Sequence, residues 1–143
     1  MPVYLVDIKG DGAEEWRTLD GTLHREDGPA VTLPDGTQEW YQNGKLHRAD
    51  GPAVIHPEGT QEWYFEGKHH RADGPAVTSP GGYESWYQNG ELHRVNGPAI
   101  IWPDGYKNWW VNGKLHRADG PAVVDPDGIF EWWLDGERQP DPE

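Results

Sequence analysis

Histidine and arginine stand side by side at a fixed interval along this chain. The pairs begin every 23 residues, at His24, His47, His70, His93 and His116, and an arginine directly follows each histidine. Five of the seven arginines occupy that position. Histidine exchanges protons and binds metals near neutral pH, and arginine binds carboxylates and phosphates through paired hydrogen bonds. These pairs are therefore the first residues to test for chemistry.

Each pair lies in a repeated phrase, Leu-His-Arg-x-Asp-Gly-Pro-Ala-Val, which covers residues 23–31 and returns with small changes at 46–54, 69–77, 92–100 and 115–123. Asp, Gly and Pro favour turns, so we expect each Arg to pair with the Asp two residues on, or with acids on a neighbouring strand. The histidines would then satisfy loop carbonyl groups. This interpretation predicts a structural ladder of His24, Arg25, Asp27, His47, Arg48, Asp50, Asp73, His93, His116, Arg117 and Asp119.

The alternative is a pocket for an anionic aromatic ligand. Arginine would bind its phosphate in a bidentate manner while a Trp or Tyr ring stacks on a base. The fourth repeat favours this hypothesis because Asn96 replaces the aspartate, which leaves Arg94 without its expected carboxylate. Aromatic residues are also densest between residues 83 and 110. The candidate ligand-binding residues are His70, Arg71, Tyr83, Trp86, Arg94, Trp102, Tyr106, Trp109 and Trp110.

The same spacing argues against a metal site or an enzyme. Consecutive ladder histidines would lie two or three strands apart, roughly 10–14 Å, whereas each nitrogen ligand of a zinc ion lies about 2 Å from it. The chain has no cysteine, and its two serines, Ser79 and Ser85, are not in a nucleophile-elbow context. No phosphate-binding or dinucleotide-binding loop is present. We expect no metal, no cofactor and no enzymatic activity.

The 23-residue period predicts tandem structural units within one repeat domain, residues 1–137. An N-terminal strand and a half repeat occupy residues 1–22. Five repeats follow at 23–45, 46–68, 69–91, 92–114 and 115–137, and residues 138–143 form a polar, proline-containing tail.

Within a repeat, turn signals separate short β-rich runs. In the second repeat, residues 53–56 lead into a Pro-Glu-Gly turn, and residues 60–65 form a candidate six-residue strand. That strand ends at a position which holds Asn-Gly or Asp-Gly in the other repeats, the strongest short signal for a hairpin. Gly or Pro recurs too often for a helix to propagate.

Aromatic residues occupy two neighbouring columns of the repeat. One column is Trp40, Trp63, Trp86, Trp109 and Trp132; the other is Tyr41, Tyr64, Tyr87, Trp110 and Trp133. Successive strand residues point to opposite faces, so both faces would carry aromatics. The fold class predicted is all-β, with the tandem repeats forming an elongated, twisted, single-layer antiparallel sheet. A three-cornered β-solenoid is the alternative.

The segment Trp40-Tyr-Gln-Asn-Gly-Lys-Leu-His47, followed by Gly51 and then Pro57-Glu-Gly59, resembles the MORN repeat, which also recurs every 23 residues. The resemblance covers residues 13–137. It departs where Arg-x-Asp-Gly-Pro follows the histidine and where the aromatic-x-Gly segment before the Trp is missing. The resemblance implies tandem β-hairpins used for protein–protein contacts and self-association, and lipid binding has also been proposed for that family.

Composition narrows the partners. Nine Trp and six Tyr supply buried area that the few aliphatic residues cannot, so the chain is expected to fold. A net charge of −13 disfavours nucleic-acid polymers and anionic membranes as partners. The absence of cysteine, of signal-peptide features at residues 1–10 and of a long apolar run predicts a cytoplasmic protein.

The leading functional hypothesis is a non-enzymatic scaffold that binds protein partners, or its own copies, through an aromatic β-sheet surface. The alternative is a binder that sequesters a small nucleotide-like anion in an Arg/His/aromatic groove. Carbohydrate binding is the third hypothesis, based on Trp and Tyr platforms beside polar side chains.

Overall fold

The computed structural model describes residues 2–142, and all the regular secondary structure in that range is β-strand. The chain divides into two compact units, the first ending at His69 and the second beginning at His70. Across residues 2–142, no helix has the length and apolar character needed to cross a bilayer.

The first unit contains ten short strands. They are β1 (Leu5–Ile8), β2 (Glu14–Arg17), β3 (Val31–Thr32), β4 (Gln38–Glu39), β5 (Tyr41–Gln42), β6 (Lys45–Leu46), β7 (Val54–Ile55), β8 (Gln61–Glu62), β9 (Tyr64–Phe65) and β10 (Lys68–His69). Six of them form a sheet in the order β1-β2-β3-β4-β7-β8. The other four form two separate hairpins, β5–β6 and β9–β10.

The second unit repeats this plan with eleven strands. They are β11 (Val77–Thr78), β12 (Glu84–Ser85), β13 (Tyr87–Gln88), β14 (Glu91–Leu92), β15 (Ile100–Ile101), β16 (Lys107–Asn108), β17 (Trp110–Val111), β18 (Lys114–Leu115), β19 (Val123–Val124), β20 (Phe130–Leu134) and β21 (Glu137–Gln139). Its sheet order is β11-β12-β15-β16-β19-β20-β21, and β13–β14 and β17–β18 are its separate hairpins.

Neighbouring strands pair in the antiparallel sense in both units. In the first unit Val31 pairs with Glu39, and Glu39 pairs in turn with Val54. In the second unit Ile100 pairs with Asn108 in the same way. The all-β antiparallel repeat predicted from the sequence is confirmed, and its sheets are not closed. A solenoid would stack parallel strands from successive coils, so that alternative is wrong.

The hairpin turns follow from local sequence. Asn43 has a φ of 51° and Gly44 a φ of 78°, the left-handed pair that a type I′ turn requires. Asn89 and Asn112 adopt the same conformation with φ of 50°. Glu66 is also left-handed, at 49°, a conformation that is uncommon for residues other than Gly, Asn and Asp. The predicted Asn-Gly hairpins are therefore confirmed.

The six-residue central strand predicted at 60–65 is wrong in one respect, because it breaks at the tryptophan. In the repeat before it, Trp40 N–H donates to Ala53 O at 2.7 Å, while Trp40 O accepts from His47 N–H at 3.0 Å. The N–H of Trp40 therefore bonds to the segment leading into β7 of the sheet, whereas its C=O accepts from the residue that follows the β5–β6 hairpin. Each repeat consequently has two hairpins, one on either side of the tryptophan.

The buried core is narrow and built on small side chains. One alanine in each repeat is fully buried, at positions Ala30, Ala53, Ala76, Ala99 and Ala122. Val31, Val54 and Val123 are buried beside it, and the tryptophans and tyrosines of both columns are half-buried. Because the buried aliphatic side chains are few and small, the half-buried aromatic rings supply much of the remaining apolar contact.

The predicted tail begins later than residue 138. Arg138 and Gln139 belong to β21, where Gln139 pairs with Trp132 and Arg138 with Trp133. The Asp135-Gly136 turn folds this segment back onto β20, with Asp135 at a φ of 49°. At the other end the predicted N-terminal strand is β1, which begins at Leu5 and ends at Ile8. Met1 and Glu143 lie outside the described residues.

Candidate functional site

Each Arg-x-Asp-Gly-Pro segment forms a tight turn, called here a clasp, in which the arginine is held on three sides. In the second clasp, residues 48–52, the Arg48 guanidinium lies 4.1 Å from the centre of the Trp40 ring. Its Nη1 donates to Pro52 O at 3.1 Å, and its Nε lies 3.3 Å from Asp50 Oδ1. Cation–π stacking and two hydrogen bonds together fix the side chain.

The same arrangement recurs along the chain. The guanidinium-to-ring distance is 3.7 Å for Arg25 over Trp16, 3.8 Å for Arg94 over Trp86 and 3.9 Å for Arg117 over Trp109. In each clasp the arginine Nη1 donates to the proline carbonyl four residues later. Arginine therefore covers Trp40, Trp86 and Trp109 of the tryptophan column, and Trp16 before it, so these rings do not form an open aromatic face.

The clasp glycine permits this close approach. A Cβ on Gly51 would lie 2.9 Å from Arg48 Cζ, and the corresponding distance at Gly120 to Arg117 is also 2.9 Å. Gly51 does not have a positive φ, so backbone conformation is not the reason for glycine here. A larger side chain fits here only if the arginine moves out of its position.

The ladder histidines link one repeat to the next. His47 Nδ1 accepts a hydrogen bond from the backbone N–H of Glu66 at 2.9 Å, 19 residues ahead. His24, His93 and His116 make the equivalent bond at 3.0 Å. The sequence predicted that these histidines satisfy carbonyl groups. Their Nδ1 atoms accept backbone N–H groups instead, so these histidines hold the following hairpin turn.

His70 and Arg71, predicted as ligand-binding residues, make the same bonds as the rest of the ladder. His70 Nδ1 accepts from Asn89 N–H at 3.0 Å. Arg71 Nη1 donates to Pro75 O at 3.2 Å, and its Nε lies 3.5 Å from Asp73 Oδ1. The Arg71 carbonyl also accepts from Gln88 Nε2 at 2.7 Å. Both residues are thus engaged in holding the repeat together.

Grooves separate consecutive clasps. The 26–50 groove of the first unit, about 750 Å³, lies between residues 26–29 and 47–50, with Trp40 and Gln42 in its wall. The 94–119 groove of the second unit, also about 750 Å³, lies between residues 94–97 and 116–119, with Trp109 and Val111 in its wall.

Charge distinguishes these two grooves. Three carboxylates, those of Glu26, Asp27 and Asp50, line the 26–50 groove beside the single guanidinium of Arg48. Two guanidinium groups, those of Arg94 and Arg117, line the 94–119 groove beside one carboxylate. In a chain of net charge −13, the second groove is a local region of positive charge.

The Arg94 clasp differs because its aspartate is replaced. Arg94 keeps its stacking on Trp86 and its bond to Pro98 O at 3.1 Å. No carboxylate lies within ion-pair distance of Arg94 among residues 2–142, and its Nε has no hydrogen-bond partner there. In the fifth clasp Asp119 takes that place, at 3.0 Å from Arg117 Nε.

The remaining predicted ligand-binding residues do not gather into one pocket. Tyr83 and Trp102 contact each other, with ring centres 4.6 Å apart, but neither lines a groove at the clasps. Tyr106 N–H donates to Asp104, and Trp110 Nε1 donates to Asn108 at 2.6 Å. Trp86 and Arg94 border a smaller groove of about 380 Å³, with His93 and Asn96. Trp109 lines the 94–119 groove instead.

Two histidines outside the ladder meet at one carboxylate, which the sequence interpretation missed. His56 Nε2 lies 2.9 Å from Glu62 Oε2, and His69 Nε2 lies 3.2 Å from Oε1. The His69 ring stacks on Tyr64, with centres 4.1 Å apart. The hydrogen bond from His69, followed by that from His56, lowers the pKa of the Glu62 carboxyl. Both histidines depart from the repeat, since His69 stands where the other repeats have leucine and no other repeat has a histidine at the position of His56. Those departures could have indicated the cluster from the sequence.

This cluster is a set of hydrogen bonds rather than a coordination shell. Among residues 2–142, no group of three or more His, Asp and Glu side chains is arranged to hold a metal ion. Glu39 occupies the position of Glu62 in the preceding repeat, and there Tyr41 Oη donates to the Glu39 carboxylate at 3.1 Å. Burial, and then the nearby Glu39 charge, raise the pKa of Tyr41 to about 12.

Comparison with known proteins bears on the MORN resemblance. The structure shares with it a repeated β-hairpin, and such a repeat does not by itself identify a family or a function. No protein-family model matches this chain, and no curated protein matches it at a significant level.

Proposed function

We propose that this protein is a non-enzymatic, MORN-like repeat scaffold that associates with a second copy of itself through the edge strand β1. Strand β1 stands at the end of the sheet order and pairs on one side with β2, from Leu5 with Arg17 to Ile8 with Glu14. Its other edge has no strand partner among residues 2–142. That edge presents backbone donors and acceptors ready to pair with another strand.

The observation that carries this proposal is the exposure of apolar side chains along β1. The exposed fractions are 50% for Leu5, 48% for Val6 and 62% for Ile8, with Val3 just before them at 66%. Because successive residues point to opposite faces, Val6 and Ile8 make one open face of this edge apolar, while Leu5 shares the other with Asp7. An exposed apolar strand at a sheet edge is a site for pairing with another chain.

The edge strand β21 of the second unit lacks these properties. Strand β21 carries Glu137 and Arg138, both exposed, and Pro140 and Pro142 follow it directly. Charged residues and proline obstruct strand addition. A β1-to-β21 contact between copies would also leave open ends and build filaments, whereas an antiparallel β1-to-β1 contact closes as a two-fold dimer. The chemistry of the two edges favours the closed dimer.

This proposal relocates the surface expected from the sequence. Arginines cover Trp16, Trp40, Trp86 and Trp109, so these four rings are poor docking surfaces. The absence of cysteine supports a reducing compartment, such as the cytoplasm, for this scaffold. The net charge of −13 supports protein rather than a polyanion or an anionic membrane as its partner.

The experiment is sedimentation velocity over a wide concentration range with Ile8→Lys and Ile8→Glu. Wild type is expected to show a concentration-dependent dimer, and both variants a monomer, because either charge would be desolvated in the pairing. Using both signs separates strand pairing from the change in net charge. Leu19→Lys and Leu19→Glu are the matched controls, because Leu19 is 68% exposed outside any strand, and they should dimerise like wild type.

Disulfide trapping locates the contact, since the chain has no native cysteine. Val6→Cys is expected to cross-link between copies under oxidising conditions, whereas Leu134→Cys, 41% exposed on β20, is not. A wild type that remains monomeric at every concentration, or a dimer unaffected by both Ile8 variants, would overturn the proposal. A wild type that binds an added protein through β1 but does not self-associate would also overturn it, because the edge would then pair with a strand of a different protein.

A further inference from the structure

We propose that the fourth clasp, residues 94–98, binds a small molecule bearing a carboxylate or a phosphate group, which supplies the negative charge that Asn96 lacks and pairs with Arg94. This proposal is independent of self-association, because it concerns a groove in the second unit and not the β1 edge.

The other clasps show what such a group would do. Asp27 Oδ1 lies 3.0 Å from Arg25 Nε, Asp50 Oδ1 lies 3.3 Å from Arg48 Nε and Asp119 Oδ1 lies 3.0 Å from Arg117 Nε. These aspartate side chains are 78% to 88% exposed, so the position of the carboxylate is open to solvent. Each of these three clasps is thus an arginine–carboxylate complex whose carboxylate is at the surface. At the fourth clasp Asn96 carries no charge, so an external anion can approach Arg94 from the same exposed side.

The Arg94 side chain is already oriented for this contact. Its Nη1 bond to Pro98 O and its stacking on Trp86 hold the guanidinium as in the complete clasps. The edge formed by Nε and Nη2 has no hydrogen-bond partner among the described residues. That edge matches the two oxygens of a carboxylate or phosphate. Because the guanidinium is held in place beforehand, little conformational entropy is lost on binding.

The surroundings select the kind of anion. Asn96 offers an amide donor where an aspartate would repel the ligand. Asp119, the one carboxylate in the groove, is already paired with Arg117. Val95, which is 77% exposed, and Val111 provide apolar surface. The groove volume of about 750 Å³ suits a small organic molecule.

The rest of the chain excludes large anions. A net charge of −13 repels polyanions over distances of about 10 Å at moderate salt. The ligand expected is therefore a singly or doubly charged acid or phosphate monoester with an apolar or aromatic portion. Benzoate and phenyl phosphate represent the two sources of the shared chemistry.

The test is a titration of the 15N-labelled protein with sodium benzoate and, separately, with phenyl phosphate, followed by amide chemical shifts. Saturable shifts are expected at residues 94–97 and 116–119 with at least one of the two probes. Asn96→Asp fills the position with an internal carboxylate and should weaken binding at least tenfold without loss of the fold. Arg94→Gln should weaken it to a similar degree.

A gain-of-function variant provides the matched control. Asp119→Asn releases Arg117 in the same groove and should tighten binding. Asp50→Asn should create little affinity, because Glu26 and Asp27 still line the 26–50 groove. Equal affinity of wild type and Asn96→Asp, or shifts confined to other residues, would overturn the proposal. Repeating the titration with Ile8→Lys separates it from self-association, since binding there should be unchanged.

Discussion

Gly51→Ala gives the sharpest test of the clasp, because its effect should depend on a residue three positions away. The added Cβ would lie 2.9 Å from Arg48 Cζ, about 0.6–1.1 Å closer than two carbon atoms at ordinary contact. The guanidinium lies at the end of a flexible side chain and would move away. The cost is therefore the set of contacts that it leaves.

Those contacts set the magnitude. Stacking on Trp40 is worth about 0.5–1 kcal/mol at an exposed site, and the charged hydrogen bond to Pro52 O about 1.5–3 kcal/mol. The exposed ion pair with Asp50 adds at most about 1 kcal/mol. Since relaxation recovers part of this, Gly51→Ala should lower the free energy of unfolding by about 2 kcal/mol, and Arg48→Ala by a similar amount.

The double-mutant cycle decides between this explanation and a backbone effect. With Arg48 truncated, the alanine at position 51 meets no obstacle, so the second substitution should cost less than about 0.5 kcal/mol. Urea denaturation of the four proteins measures the coupling. Gly59→Ala is the control, because Gly59 has a φ of 103° and its strain does not depend on Arg48. Additive effects of Gly51→Ala and Arg48→Ala would refute the reasoning.

Three further predictions concern turns and titration. Asn112 has a φ of 50°. Asn112→Ala should lower the free energy of unfolding by about 1 kcal/mol, and Asn112→Gly should change it little, as measured by urea denaturation. The pKa of the Glu62 carboxyl is lowered from its ordinary value of 4.5 in the folded protein. The ionised carboxylate should therefore stabilise the fold above pH 4.5, and this contribution should be lost as the pH falls through the lowered pKa. Glu62→Gln should remove that part of the acid dependence in denaturation series at different pH. Tyr41→Phe should remove a phenol ionisation near pH 12 from the ultraviolet titration, and removal of one near the ordinary value of 10.0 would contradict the burial argument.

The turns could be predicted because their chemistry is local. Asn43-Gly44 specifies positive φ whatever surrounds it, and Pro34-Asp35-Gly36 likewise places a left-handed glycine, with a φ of 95°, at its end. Both depend on residues adjacent in sequence. The 23-residue period then carries the same conformation to every repeat.

The contacts between repeats could not be predicted, because the period does not reveal the offset at which copies meet. Trp40 looked like the middle of a strand, yet its N–H donates to Ala53 of the following segment, which breaks that strand. Likewise, nothing local indicates that His47 accepts from Glu66, or that Arg48 lies over Trp40. Such pairings are determined by tertiary packing.

The candidate site illustrates the same limit. Asn96 could be recognised as a departure from the repeat, and it identified Arg94 correctly as the arginine without a carboxylate partner among residues 2–142. The sequence grouped Arg94 with Tyr83 and Trp102, whereas His116 and Arg117 are the residues across the groove from it. Proximity along the chain was a poor guide, because the groove is formed by turns one full repeat apart.

The hydrogen bonds between repeats recur every 23 residues, so the protein could gain or lose one whole repeat without losing the pattern of these bonds. Gly113 N–H donates to Leu92 O at 2.9 Å, and Gly136 N–H donates to Leu115 O at the same distance. Excising residues 92–114 would join Glu91 to Leu115 and offer every severed donor an equivalent acceptor from the next copy. The anion-binding turn is the feature such an excision would take away. The proposed ligand site is thus a removable module, and gain or loss of one repeat could add or delete it while the remaining hairpins keep their contacts.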